Sequence, residues 1–386
     1  MLVKGSIVLP EQKGGVLLIQ LGDIGDVVLT MPAISALRRH FPDNELIVCV
    51  REHARELAED CPWTDGVVSV DKQRRKLRRE LAYQVRFLSD LRKPRFSLAI
   101  DLRTGSRGAV AAFLSGARYR IGRFSDGGPW WRNSLFTHLV RPENEMLQYA
   151  PEHHLNIIAP FGFHTDDCIP ALTVPQPRKK VAQAVLRDAG IPDRTPIVAV
   201  HPFSLWQYKE WQPSEWISLI HHLTEKRGLS AIVTGSPAER VRAEELTEGL
   251  KGRAFNLAGK TSIGELPAIL QLCDLFVGVD TAALHIAGAV GVPTVGIFGP
   301  SSPVSWAPRG ERHCVVTKGM SCQPCRQKGC QGTEKSRCLD ELKAEEVISV
   351  VETRLQHLPP ESKGSSTSVQ RLNGRPRGIH PGGLKR

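Results

Sequence analysis

Val277-Gly-Val-Asp-Thr-Ala-Ala-Leu-His285, running on to Gly291-Val-Pro-Thr-Val-Gly-Ile-Phe-Gly-Pro300, reads as strand, tight turn, helix, loop and strand. The apolar run Leu275 to Val279 stops at Asp280-Thr281, and either residue caps a helix start. The helix is rich in small residues (Ala282, Ala283, Ala287, Gly288, Ala289) and ends at Gly291, with Pro293 behind it. A helix that follows a parallel strand this tightly aims its free N–H groups at the carboxyl edge of the sheet. Anions, above all phosphates, bind there. On shape alone this is an ordinary βαβ unit. Asp280, Thr281 and His285 put three polar groups on the first turn and a half of a helix otherwise suited to burial, and that marks it as a site.

The same alternation runs outward from this unit. Val16 to Leu21 is a buried-strand run, Leu21-Gly-Asp-Ile-Gly-Asp26 the turn after it, and Val27, Met31, Ile34 and Leu37 have the spacing of one helix ending near His40. Strands follow at Leu46 to Val50, Val67 to Val70 and Leu98 to Leu102, the last running into the polar turn Arg103-Thr-Gly-Ser-Arg107. Asp23, Asp26, Asp101, Arg103 and Arg107 therefore fall at one carboxyl edge. Ile169 to Pro177 holds three prolines and marks a boundary, beyond which the pattern restarts with strands Ile197 to His201 and Ser230 to Thr234. The expectation is α/β: two Rossmann-like domains with parallel sheets facing across a cleft, 1–170 and 178–358, joined by a Pro-rich linker at 171–177. From 359 to 386 the composition is that of a disordered basic tail.

Among 386 residues, 41% are hydrophobic and 24% charged, the balance of a soluble globular protein. No apolar stretch approaches the roughly 20 residues of a membrane span, and the first residues lack a signal peptide's pattern, so the cytoplasm is the expected compartment. The net charge of +11 is concentrated: residues 72–95 carry ten Lys/Arg against Glu80 and Asp90, and residues 361–386 carry six against Glu361. A nucleic-acid binder would interleave its basic groups with aromatics, and 72–95 holds only Tyr83 and Phe87. Leu77, Leu81, Val85, Leu88 and Leu91 recur there at helical spacing. The polar face of that helix is either a solvated surface or a contact for an anionic membrane.

Four segments, in chain order, carry a family resemblance. They are Gly25-Asp26-Val27 with Pro32, Lys209-x-Trp211, Leu257-Ala-Gly-Lys-Thr-Ser-Ile-Gly-Glu-Leu266, and Asp280-Thr-Ala-x-x-His285. Together they resemble glycosyltransferase family 9, the heptosyltransferase-like enzymes, over about residues 15 to 350. Ala282 stands where that family's signature usually has Gly, Gln212 is inserted before Pro213, and Phe203 replaces a usual Gly. The resemblance implies a GT-B arrangement and an inverting, metal-independent glycosyltransferase. It implies transfer of heptose from ADP-heptose to the lipopolysaccharide inner core, a lipid-anchored glycan; the cationic face of residues 72–95 would hold such an enzyme peripherally at the inner face of the inner membrane. The alternatives are another nucleotide sugar, a protein acceptor, or a non-catalytic nucleotide-sugar-binding protein. A dehydrogenase is excluded, because Gly22-Asp-Ile-Gly-Asp-Val does not fit G-x-G-x-x-G.

The chemistry assigns roles. Glycosyl transfer passes through an oxocarbenium-like state, and needs a base for the incoming hydroxyl and positive charge for the departing diphosphate. Asp26 is placed to be the base, with Asp23 shaping the turn by accepting backbone N–H bonds. Asp23, Asp101, Arg103 and Arg107 stand on the acceptor side. Lys209 and the helix start at Asp280-Thr281 suit the diphosphate. By resemblance Glu239 sits near the nucleoside, and His285 either bonds a phosphate or buttresses the turn. No cofactor is implied, and no Asp-x-Asp pair is present to hold a cation on the diphosphate. Cys322, Cys325, Cys330 and Cys338, in the cysteine-rich segment 314–338, read either as reduced or paired thiols or as a structural zinc or iron site.

Overall fold

The computed structural model describes residues 1–9, 13–71, 76–192, 195–250 and 252–356. In its first half, strands β1 (Leu2–Lys4) and β2 (Gly15–Gln20) lead into helices α1 (Ile24–Val28) and α2 (Met31–His40). Then come β3 (Leu46–Arg51), α3 (Arg55–Glu59), β4 (Gly66–Val70), α4 (Leu77–Arg92), β5 (Phe96–Asp101), α5 (Ser106–Leu114), β6 (Tyr119–Arg123), β7 (His138–Val140) and α6 (Ala150–Ile158). The second half runs α7 (Gln176–Asp188), β8 (Ile197–His201), α8 (Pro213–His221), β9 (Ser230–Val233), α9 (Arg240–Thr247), β10 (Ala254–Asn256) and α10 (Leu266–Gln271). It closes with β11 (Leu275–Val279), α11 (Ala282–Ala289), β12 (Thr294–Ile297), α12 (Pro303–Trp306), β13 (His313–Val316), α13 (Arg337–Asp340) and α14 (Ala344–Gln356).

The strands form two sheets, ordered β1-β7-β6-β5-β2-β3-β4 and β10-β9-β8-β11-β12-β13. Every pairing is parallel except β1 with β7, an antiparallel edge that the sequence pattern does not reveal. In each sheet the chain steps outward one way, then returns to the middle and steps out the other way. The reversal falls between β2 and β5 in the first sheet and between β8 and β11 in the second. Open α/β sheets bind ligands in the crevice at such reversals.

Both faces of each sheet are covered, which is why the central strands are continuous apolar runs. On β2, Val16 and Leu18 pack with Met31, Ile34 and Leu37, whereas Leu17 and Ile19 face Ala109, Ala112 and Phe136. Val28 and Leu57 of the first half belong to the apolar cluster that holds Ile269, Ala283 and Ile286 of the second, so the halves share packed surface. Each buried Val, Leu or Ile side chain among these contributes roughly 1.5–3 kcal/mol.

Three expectations need correction. The single helix after β2 is two, because Pro32 opens α2 and cannot donate back into the preceding turn. The Pro-rich linker ends early, since Pro175 is the N-cap of α7. Of the apolar positions on α4 only Leu91 is buried, and Leu77, Leu81 and Val85 lie exposed. Residues 72–75 and the tail 359–386 lie outside the described residues.

A buried polar knot fills the break between α1 and α2. Gln20 Nε2 donates to Thr30 Oγ1 at 2.9 Å, Thr30 Oγ1 donates to the Asp26 carbonyl at 2.7 Å, and His154 Nδ1 lies 3.2 Å from Thr30 Oγ1. Burial pushes His154 down to about 4, so the unfolded chain binds a proton that the folded chain refuses. That contribution to stability is whole above pH 6.5 and is lost as pH falls towards 4. Denaturant midpoints should therefore fall across this window, and less steeply in His154→Gln; an equal slope in both proteins would remove His154 from the account.

Candidate active site

At the first reversal, the turn after β2 folds back on itself. The Asp26 carboxylate accepts the Asp23 N–H at 2.9 Å and pairs with Arg103 at 2.8 Å, and its side chain is 16% exposed. Gly22 makes this possible: a Cβ there would lie 2.3 Å from Asp26 Oδ2 and 2.6 Å from Arg103 Nη1. Asp26 thus shapes the turn together with Asp23, which is the N-cap of α1 and its partner in a capping box. Asp23 projects outward to Arg51 at 2.6 Å.

Arg51, Arg103, Ser106 and Arg107 line a cavity of about 410 Å³ at this edge. Thr104 joins it to a second of about 600 Å³ that holds Arg123 and Arg141. Asp101 does not serve as an exposed acceptor group. It is fully buried, Arg132 lies 3.5 Å from it, and burial pushes its carboxyl up to about 7 against the Arg103 N–H and the two guanidinium groups. Its position at the end of a strand suggested the edge; the arginine thirty-one residues on that covers it gives no local signal.

The second reversal carries the mirror arrangement. Lys209, from the loop after β8, meets Asp280 at the end of β11 at 2.6 Å. The lysine therefore lies on a carboxylate, where the sequence pointed to an open phosphate site. Burial raises the Asp280 carboxyl, and Lys209 and His285 more than reverse that, leaving it below its usual range. Thr281 is the N-cap of α11 in extended conformation, but its hydroxyl donates to the Val279 carbonyl and no side chain caps the helix. His285 is buried, its Nε2 3.8 Å from Asp280 and its Nδ1 without a protein partner. Burial lowers its pKa, with Asp280 opposing. Glu239 accepts the Ser236 N–H at 2.6 Å and caps its own turn beyond β9.

The two reversals face each other, because α1 lies directly against α11. A Cβ on Gly25 would stand 2.8 Å from His285 Cδ2 and 3.7 Å from Ala282 Cα. Polar contacts flank this approach, none of them evident in the sequence. Glu56 accepts from Ser262 Oγ at 2.5 Å and Gly264 N at 3.1 Å and pairs with Arg178, which also reaches Asp60. Elsewhere across the interface Arg309 pairs with Glu152, and Arg326 donates to the Met146 carbonyl. The buried knot of Gln20, Thr30 and His154 also escaped sequence reasoning; a glutamine closing an apolar strand was its only sign.

In the cysteine-rich segment, among the described residues, no three His, Cys, Asp or Glu side chains gather in the arrangement of metal ligands. All nine cysteines are free thiols, from exposed Cys322 to buried Cys338, and Cys330 Sγ accepts the Arg337 N–H. The segment instead lies along the cleft edge of β12, where Gln323 donates to the Phe298 and Gly299 carbonyls.

Residues 84–335 match glycosyltransferase family 9 (heptosyltransferase). The chain belongs to that family. It is 28% identical over 350 residues to lipopolysaccharide heptosyltransferase 1 of Pseudomonas aeruginosa, covering 86% of this chain and 92% of that one. Its fold is similar to a family 9 glycosyltransferase from Veillonella parvula, with a TM-score of 0.76 at 20% identity over 91% of this chain and 99% of that one. It is also similar to E. coli heptosyltransferase WaaC with ADP-2-deoxy-2-fluoro heptose, with a TM-score of 0.65 at 20% identity over 88% and 99%. The protein is thus a glycosyltransferase with two α/β halves in the GT-B arrangement.

Lys209 and Asp280 form a largely enclosed ion pair at the cleft edge of the second half, their side chains 22% and 4% exposed. Removing one partner of a buried pair strands the other charge, at a cost of about 3–5 kcal/mol. Lys209→Met should therefore lose stability on that scale in urea, and Lys209→Met combined with Asp280→Asn should regain most of it. A single variant as stable as the wild type would mean that Asp280 does not depend on Lys209.

Proposed function

We propose that the chain is an inverting, metal-independent heptosyltransferase that moves heptose from ADP-heptose to a hydroxyl of the lipopolysaccharide inner core. The observation that carries this reading is the placement of Asp26 and the uncapped start of α11 on opposite walls of one cleft. The Pseudomonas relative, named for lipopolysaccharide, and the WaaC structure with an ADP-heptose analogue support the donor and acceptor. In this reading the first half holds the acceptor, peripheral on the inner face of the inner membrane, and the second half holds the nucleotide sugar.

Asp26 accepts the proton of the acceptor hydroxyl as that oxygen bonds to the anomeric carbon. The bond from that carbon to the diphosphate oxygen breaks, and its electron pair leaves with ADP. Attack from the wall opposite the leaving group inverts the anomeric centre. Lys209 and the free N–H groups of α11 meet the charge on the diphosphate, which competes with Asp280 for the lysine. Asp280 keeps Lys209 aimed into the cleft until the donor arrives, and His285 supports the turn from beneath. Glu239, at the edge of β9, accepts from the ribose hydroxyls. Arg103 and Arg107 address the acceptor, and Arg103 holds the Asp26 carboxylate in place. Positive charge from side chain and helix serves where other transferases use a cation.

Asp26→Asn keeps the shape and removes the base. ADP release from ADP-heptose, assayed in EDTA with a lipopolysaccharide-core acceptor, should fall at least about 10²-fold in kcat. ADP affinity should hardly change. An active Asp26→Asn enzyme would move the base elsewhere, and loss of wild-type turnover in EDTA, restored by Mg2+, would end the metal-independent reading.

A further inference from the structure

Helix α4 exposes the side chains that its sequence pattern places inward. Leu77, Leu81 and Val85 are 76%, 58% and 69% exposed and follow one another at four-residue spacing, so they form one continuous apolar stripe. The helix is held to the body by its other side, through buried Leu91 and half-buried Phe87, and through Tyr83, whose hydroxyl accepts the Asp71 N–H at 2.8 Å. Lys76, Arg78, Arg79 and Arg86 are exposed on the same helix and its cap, against Glu80 and Asp90. An apolar stripe bordered by cations lies flat in an anionic lipid interface, with the aliphatic side chains among the acyl chains and the guanidinium groups at the phosphates.

The location suits a lipid surface. α4 starts just past the end of β4, and Val70 at that end lines the same 410 Å³ cavity as Arg51, Arg103 and Arg107. Other occupants fit less well. A second copy of this chain would bring the same arginines face to face, and three side chains supply far less than the roughly 800 Å² per partner of a stable interface. A single-stranded nucleic acid needs aromatic faces to stack on, and Tyr83 and Phe87 point inward.

We infer that α4 is a membrane-docking helix that inserts Leu77, Leu81 and Val85 into an anionic bilayer and so brings the acceptor cavity to the membrane surface. The inference rests on the proposed function only for the lipid anchor of the acceptor. Docking combines insertion with charge, so it responds to both kinds of substitution.

The test is co-sedimentation of the full chain with vesicles of phosphatidylcholine alone, or of equal parts phosphatidylcholine and phosphatidylglycerol. The wild type should bind the mixed vesicles, and salt should weaken that binding. Leu81→Asp combined with Val85→Asp should weaken it by at least about 10-fold. Arg78→Gln combined with Arg79→Gln should also weaken it and flatten its salt dependence. Both variants should release ADP at the wild-type rate with a water-soluble, delipidated acceptor, which separates this inference from the catalytic reading. Wild-type protein that stays in the supernatant would overturn it, as would an apolar variant that binds undiminished. Self-association abolished by Leu81→Asp would assign the stripe to a second copy instead. If the wild type docks but releases no ADP, the function fails and the docking stands.

Discussion

The cleft depends on how closely α1 can approach α11. Gly25 has no side chain, and the ring of His285 fills that space. The contact sets the separation between the carboxylate on one wall and the helix start on the other. It also joins the apolar cores, since Val28 on α1 packs among the residues that surround α11. A reaction between two bound molecules draws on such placement, because reacting atoms must come within about 3–3.5 Å.

Each half then supplies one ion pair at its strand reversal, Asp26 with Arg103 and Lys209 with Asp280. The pairs differ in enclosure. Arg103 and Asp26 are 43% and 16% exposed, whereas Lys209 and Asp280 are 22% and 4% exposed. The exposed partner in the first half is the cation, and in the second it is again the cation. Both cations can therefore turn towards an anionic ligand while the carboxylates stay in the fold. A pair at a sheet's carboxyl edge thus keeps charge aimed into the cleft in the absence of substrate.

The fold was legible because its signals are local. Buried strands such as Val16 to Leu21 and turns such as Asp280-Thr281 announce themselves within a few residues, and most strands lie where the apolar runs place them. The edge strand Leu2–Lys4 and the short β6 and β7 carry too little apolar pattern to be seen. At the site, the residue types were legible and their partners were not. Asp101 and Arg132 are thirty-one residues apart, and Lys209 and Asp280 seventy-one, so only the folded chain brings them together. The helical spacing of α4 is plain in the sequence, yet spacing says nothing about whether a neighbour covers the stripe.

Gly25→Ala probes the contact between α1 and α11 directly. The added methyl group would meet the buried His285 ring at 2.8 Å, so α1 must draw back from α11 while each half keeps its own fold. The variant should fold and bind ADP about as well as the wild type, with kcat lowered on the order of 10²-fold by the misplaced wall. A Gly25→Ala enzyme that turns over at the wild-type rate would contradict this, because catalysis would not then depend on the contact between the two helices.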